Sequence, residues 1–169
     1  MRPTTAVSSL AICLVAAAAP TFAQKAPSCV VDRKPLTKSA SEVQVNRKRL
    51  SLCSAKCEAA FRKTPEKYLE KVGDCPVLHN PVAKIAGEGR LVLNNGLYYF
   101  CCAGCKDGFL QSPQHLKKLE DVVTHEVFTV GESSPRLEHE GQHYLFATEA
   151  SKSTFEKSPE KYVVRFGTP

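Results

Sequence analysis

The chain has 169 residues and a formal charge of +6, with 8 cysteines, 11 prolines, no tryptophan and one methionine. The basic excess is scattered: Lys and Glu interleave in 64–71 and 156–161, as on solvated helix faces, and no clustered basic stripe marks a nucleic-acid surface. Met1 alone rules out a methionine-rich copper tract, and past residue 23 no apolar run is long enough to span a bilayer.

The first residues read as a secretory signal. Arg2 supplies the positive charge, 10–19 the apolar stretch and Thr21-Phe22-Ala23 the cleavage motif. The signal therefore covers 1–23, and the mature chain is expected to be periplasmic or secreted, without membrane insertion. Cleavage removes Cys13 and leaves Cys29, Cys53, Cys57, Cys75, Cys101, Cys102 and Cys105. Export permits disulfides, yet seven thiols cannot all pair within one chain.

Residues 24–28 form a lead-in. Residues 41–45 alternate in polarity and predict a strand, with a turn at 46–48 and a return strand over 49–52. Ser54 is a candidate N-cap, which puts Cys57 in the first helical turn. Thr64-Pro65 is expected to open a second helix carrying Tyr68, Leu69 and Val72, stopping at Gly73. Asp74-Cys75-Pro76-Val77 begins the next stretch. Strands over 90–94 and 97–100 are expected around an Asn95-Gly96 turn. A short helix follows Cys105, and a further helix is expected from Ser112-Pro113 through Leu116 and Leu119. The last stretch begins near 127–130. Strands at 136–139 and 143–146 turn at 140–142, and two short helices follow.

These elements share one grammar. Counted from Cys53, Cys101 and Ala147, a Phe falls eight residues on (Phe61, Phe109, Phe155), a Pro twelve on (Pro65, Pro113, Pro159) and Tyr68, Leu116 or Tyr162 fifteen on. The chain thus reads as an α+β protein of three tandem modules, each a β-hairpin followed by short helices, over 24–73, 74–121 and 122–169. The aromatic residues at these offsets are read as packing between helix and hairpin. The third module is degenerate and cysteine-free.

The cysteines carry the chemistry. Cys53 and Cys101 end strands, while Cys57 and Cys105 sit four residues on in the first helical turn, where free amides and the helix dipole favour thiolate. A third cysteine from the loop before each hairpin completes a three-sulfur face, and thiolates select zinc or copper(I). The rival is a disulfide, although thiols four apart in a helical turn bridge poorly. A thiol-redox or disulfide-stapled accessory protein is the alternative, disfavoured because these pairs lack the redox Cys-x-x-Cys spacing. Cys102 aligns with Ser54 and Thr148 and reads as a spare thiol. His79 is a candidate fourth ligand of the second site, which is then expected to bind more tightly than the first. No nucleophile–base pair, phosphate-cradling loop or zinc-protease helix is legible, so no enzyme activity is expected.

The opening Asp74-Cys75-Pro76-Val77, the strand Tyr98-Tyr99-Phe100-Cys101, then Cys105, Phe109 and Pro113 resemble the YHS/TRASH family of metal-binding domains. The likeness is clear in the second module, weaker in the first and degenerate in the third. It implies a treble-clef-like fold of knuckle, hairpin and helix, and a role in heavy-metal sensing or handling. It implies Cys75, Cys101 and Cys105 as the ligands of one site, and Cys29, Cys53 and Cys57 as those of another. The expected partners are a metal ion and a metal transporter or oxidoreductase on which the chain docks.

Overall fold

The structure, a computed structural model, describes residues 27–83 and 89–167. The expected signal segment 1–23 lies outside the described residues. Among the described residues, no helix is long and apolar enough to cross a membrane.

The protein is α+β. Three antiparallel hairpins lie side by side in one six-stranded sheet: β1 (Ser41–Val45) with β2 (Lys48–Leu52), β3 (Arg90–Leu93) with β4 (Gly96–Tyr99), and β7 (Arg136–His139) with β8 (Gln142–Leu145). The order is β2-β1-β4-β3-β8-β7, with parallel joins only at β1–β4 and β3–β8. A separate pair joins β5 (Lys118–Glu120) to β6 (Val127–Thr129). Each hairpin leads into a nine-residue helix: α1 (Ala55–Lys63), α2 (Ala103–Gln111) and α3 (Glu149–Lys157).

The hairpins share one turn. Its two central residues have positive φ in every case: Asn46 and Arg47, Asn94 and Asn95, Glu140 and Gly141. That is the turn whose twist matches the strands. In the second hairpin the turn is therefore Asn94-Asn95, one residue earlier than the expected Asn95-Gly96. Gly96 lies in the strand opposite Leu93, where an added Cβ would come within 3.2 Å of the Tyr98 ring.

The expected second helices are each a single 3-10 turn, Pro65–Tyr68, Pro113–Leu116 and Pro159–Lys161. The residue before each proline lacks a side-chain cap bond, so these short turns do not propagate. Leu119 consequently lies in β5 rather than in a helix.

The central hairpin is buried on both faces. Val92, Leu97 and Tyr99 pack with Phe61 of α1, whereas Leu91, Leu93 and Tyr98 pack with Phe109 of α2. Two-sided burial explains why these strands read as continuous apolar runs. Phe155 of α3 packs against Tyr144 and Phe146, with ring centroids 4.6 and 5.4 Å away. Phe61, Phe109 and Phe155 are all fully buried.

Asparagines join the hairpins. Asn46 Nδ2 donates to the carbonyls of Asp74 and Tyr99, and its Oδ1 accepts the Tyr99 amide. Asn94 repeats this one hairpin on, donating to Glu120 and Leu145 and accepting the Leu145 amide. The third turn has Glu140 at this position, and there the chain's own Arg165 pairs with it. The tail then returns to the first helix. The Gly167 amide donates to the Arg62 carbonyl, and Phe166 joins the α1 core.

Candidate metal centre

Three tight knuckles precede the three hairpins. In the first, the Cys29 amide donates to Lys34 and the Arg33 amide returns to Cys29; in the second, Cys75 pairs in this way with Asn80 and His79. The third runs from Asp121, whose amide donates to Glu126 and whose carbonyl accepts from His125. Arg33, His79 and His125 all have φ near +60°. The third knuckle thus starts at Asp121, before the residue at which the third stretch was expected to open.

Each knuckle points a side chain into a nest of three backbone amides. Burial pushes the Cys29 thiol up, but amides of Asp32, Val31 and Cys53 outweigh it and leave its pKa below the ordinary thiol value. Cys75 is likewise raised by burial and lowered further by amides of Leu78, Cys101 and Val77. In the third knuckle the acceptor is a carboxylate: Asp121 accepts from Val123 at 2.9 Å, Thr124 at 3.3 Å and Ala147 at 2.8 Å. The three nests use amides from corresponding positions, so each is built to hold an anion.

The helix N-termini supply the remaining sulfurs. Ser54, Cys102 and Thr148 are the N-caps, and their side chains accept the amides of Cys57, Cys105 and Ser151. This cap holds Cys57 and Cys105 at the third helical position, facing the strand end. Cys53 Sγ lies 3.3 Å from Cys57 Sγ, and Cys101 Sγ lies 3.5 Å from Cys105 Sγ. All seven described cysteines are free thiols.

Two groups of candidate ligand atoms result. Cys75, Cys101 and Cys105 form one, and Cys29, Cys53 and Cys57 form the other with Asp32; within each, the ligand atoms lie within 4.8 Å of one another. Zinc–sulfur bonds of about 2.3 Å put the sulfurs of a tetrahedral site about 3.8 Å apart. The thiol pairs need open by only a few tenths of an ångström to reach that spacing. The donor sets therefore fit a soft or borderline cation.

In both groups the thiols share protons. Cys53 is pushed up to about 12, first by its hydrogen bond with Cys57 and then by that with Cys29. Burial pushes Cys105 up, reinforced by Cys102, Cys101 and Cys75. A cation entering either group displaces these protons.

His79 stands outside the second group, at the end of its knuckle. Asp32 is a candidate donor that sequence reasoning missed: its Oδ2 lies 3.4 Å from Cys53 Sγ, and its hydrogen bond with Cys29 is the main reason its pKa is depressed. The candidate group with a fourth donor is thus the first rather than the second. An acid three residues after a knuckle cysteine was the available signal; Leu78 stands there in the second knuckle and Thr124 in the third. Cys102, aligned with two hydroxyl caps, is itself a cap, and its sulfur lies 3.2 Å from Cys105 Sγ. Cys102 and Cys105 are a Cys-x-x-Cys pair, a spacing overlooked when Cys105 was paired with Cys101.

The third position holds Ala147 and Ser151 beside Asp121 in place of sulfurs. Ser151 is buried, and its Oγ lies 3.0 Å from Thr148 Oγ1. Comparison with family models, with curated proteins and with solved structures yields no match.

Proposed function

We propose that this chain is an exported metal-handling protein that sequesters or delivers zinc or copper(I) through two cysteine clusters. The observation that carries the reading is the double convergence of three thiols from knuckle, strand end and helix start. The resemblance of the second unit to YHS/TRASH domains supports it, as does the treble-clef-like order of knuckle, hairpin and helix. The export signal read in 1–23 supports a periplasmic or secreted location.

The two clusters suit different cations. Cys29, Cys53, Cys57 and the Asp32 carboxylate make a complete four-donor set with one hard oxygen, which favours zinc. Cys75, Cys101 and Cys105 offer sulfur alone, with Cys101 at the surface. Three sulfurs suit trigonal copper(I), or zinc with an exchangeable fourth position for delivery. The third unit is a structural or docking copy, for which a metal transporter or oxidoreductase is the expected partner.

Thiol counting tests the reading. Protein purified without reductant should show thiols masked by metal and released by a chelator. Thiols that appear only after reduction would support the disulfide-stapled alternative.

A further inference from the structure

Cys102 is the one thiol of the described chain outside the two candidate ligand groups. It is exposed, caps α2, and has its sulfur 3.2 Å from that of the buried Cys105. Only two residues, Ala103 and Gly104, separate them, and neither carries bulk. A disulfide needs the two sulfurs to close to about 2.05 Å, and the cap geometry already aims Cys102 Sγ at the first turn holding Cys105. The other units cannot do this, because Ser54 and Thr148 occupy the cap. Of this pair Cys102 is exposed and Cys105 buried, so a reagent reaches Cys102 before Cys105.

We propose that Cys102 and Cys105 form a thiol–disulfide exchange pair whose substrate is a small organic disulfide, and that its oxidation withdraws Cys105 from the second metal cluster. The metal-release half rests on the metal-binding reading; the exchange pair stands without it. In the metal-free chain, Cys102 loses its proton and attacks one sulfur of R–S–S–R. The Cys102–S–S–R bond forms, and one R–S⁻ leaves and takes up that proton. Cys105 then loses its proton and attacks the Cys102 sulfur, closing the Cys102–Cys105 bond and expelling the second R–S⁻, which is protonated in turn. Two thiols are oxidised by two electrons, and one disulfide is reduced to two thiols. Were the second cluster loaded, Cys105 would bring the electron pair of its metal–sulfur bond, the second R–S⁻ would take its proton from water, and the cation would leave with its oxidation state unchanged. The first cluster has no such neighbour and keeps its metal.

The test uses the full mature chain and oxidised glutathione, with and without prior zinc loading. Peptide mapping should find Cys102–Cys105 as the first intramolecular disulfide in both states. A chromogenic chelator should register the release of one of two zinc equivalents. Cys102→Ser, which keeps an Oγ cap like Ser54, should bind the same zinc and release that equivalent at least about tenfold more slowly. A first disulfide at Cys101–Cys105 or Cys53–Cys57, or wild-type release from Cys102→Ser, would overturn the proposal. If no zinc binds, the metal reading fails while mapping of the metal-free chain still decides the pair. Two bound equivalents without the Cys102–Cys105 bond would sink the pair alone.

Discussion

The second and third knuckles are built from the same backbone but are filled by different acceptors, a cysteine sulfur in one and a carboxylate in the other. Around Cys75 the nest amides belong to Leu78, Cys101 and Val77. Around Asp121 the corresponding amides belong to Thr124, Ala147 and Val123. A thiolate there can accept these amides and still offer electron pairs to a cation. The Asp121 carboxylate instead spends both oxygens on the amides, in a site that is 0 % exposed. The comparison teaches that the nest is a structural demand common to all three units. A candidate metal cluster arises only where that demand is met with sulfur and two more sulfurs come from the strand end and helix.

The largest effect is expected from removing the carboxylate. Asp121→Ala leaves three inward-facing amides without their acceptor and should cost about 4 kcal/mol, since each buried unsatisfied group costs roughly 1–3 kcal/mol. Asp121→Asn should recover part of this, because its Oδ1 can still accept from Val123 and Thr124 while its Nδ2 donor faces the Ala147 amide. Thermal melts of these variants, with exchange protection read over 142–162, check the claim. Wild-type stability in Asp121→Ala would show that the third nest needs no anion. The comparison sharpens further with Asp121→Cys, Ala147→Cys and Ser151→Cys combined, which should raise zinc saturation from two equivalents to three.

Next in size is the hinge between the second and third hairpins. Asn94→Ala removes bonds to the Glu120 and Leu145 carbonyls and from the Leu145 amide. The expected loss is about 2–3 kcal/mol, at roughly 1 kcal/mol per bond, seen as a lower denaturant midpoint. Metal stoichiometry should be unaffected, because no ligand touches Asn94.

Much of this was legible and some was not. The offsets from Cys53, Cys101 and Ala147 placed Ser54, Cys57 and the three buried phenylalanines, because a capped helix after a strand end is a local device. Knuckles are different: short, irregular and marked only by the residue that fills the nest. Asp121 stands as far ahead of Ala147 as Cys75 stands ahead of Cys101, yet a register counted in cysteines passes over an aspartate. The second helices failed for the opposite reason. Pro at a first position suggests a helix, but with no side-chain cap bond from Thr64, Ser112 or Ser158 these segments stop after one turn. The strand order, with parallel joins of a single residue pair reinforced by Asn46 and Asn94, is tertiary information that no local pattern carries.

Asp32 provides a smaller test of how the two sulfur clusters differ. Asp32→Asn keeps the shape and weakens an anionic oxygen donor, so zinc affinity at the first cluster should fall roughly tenfold, about 1.4 kcal/mol. The second cluster should be unchanged in the same competition titration. Equal affinities before and after substitution would remove Asp32 from the ligand set.

The smallest effect concerns the third turn, where Glu140 replaces the joining asparagine. The Arg165 guanidinium holds Glu140 below the ordinary carboxylate range. A depressed folded pKa stabilises above the unfolded value and is lost as pH falls through the folded one. Stability should therefore decline slightly below about pH 4.5, and Arg165→Ala should remove that part of the acid dependence. The pair is exposed, so the change should be small and should shrink further in high salt.

The most direct measurement is a zinc titration of the fully reduced mature chain followed by native mass spectrometry. Two groups of converging thiols and a third knuckle closed by Asp121 predict saturation at two zinc ions, falling to one in Cys105→Ser and to one in Cys57→Ser. Saturation at zero or three in the wild type, or two ions retained in either variant, would contradict the assignment of one metal to each cysteine cluster and none to the third.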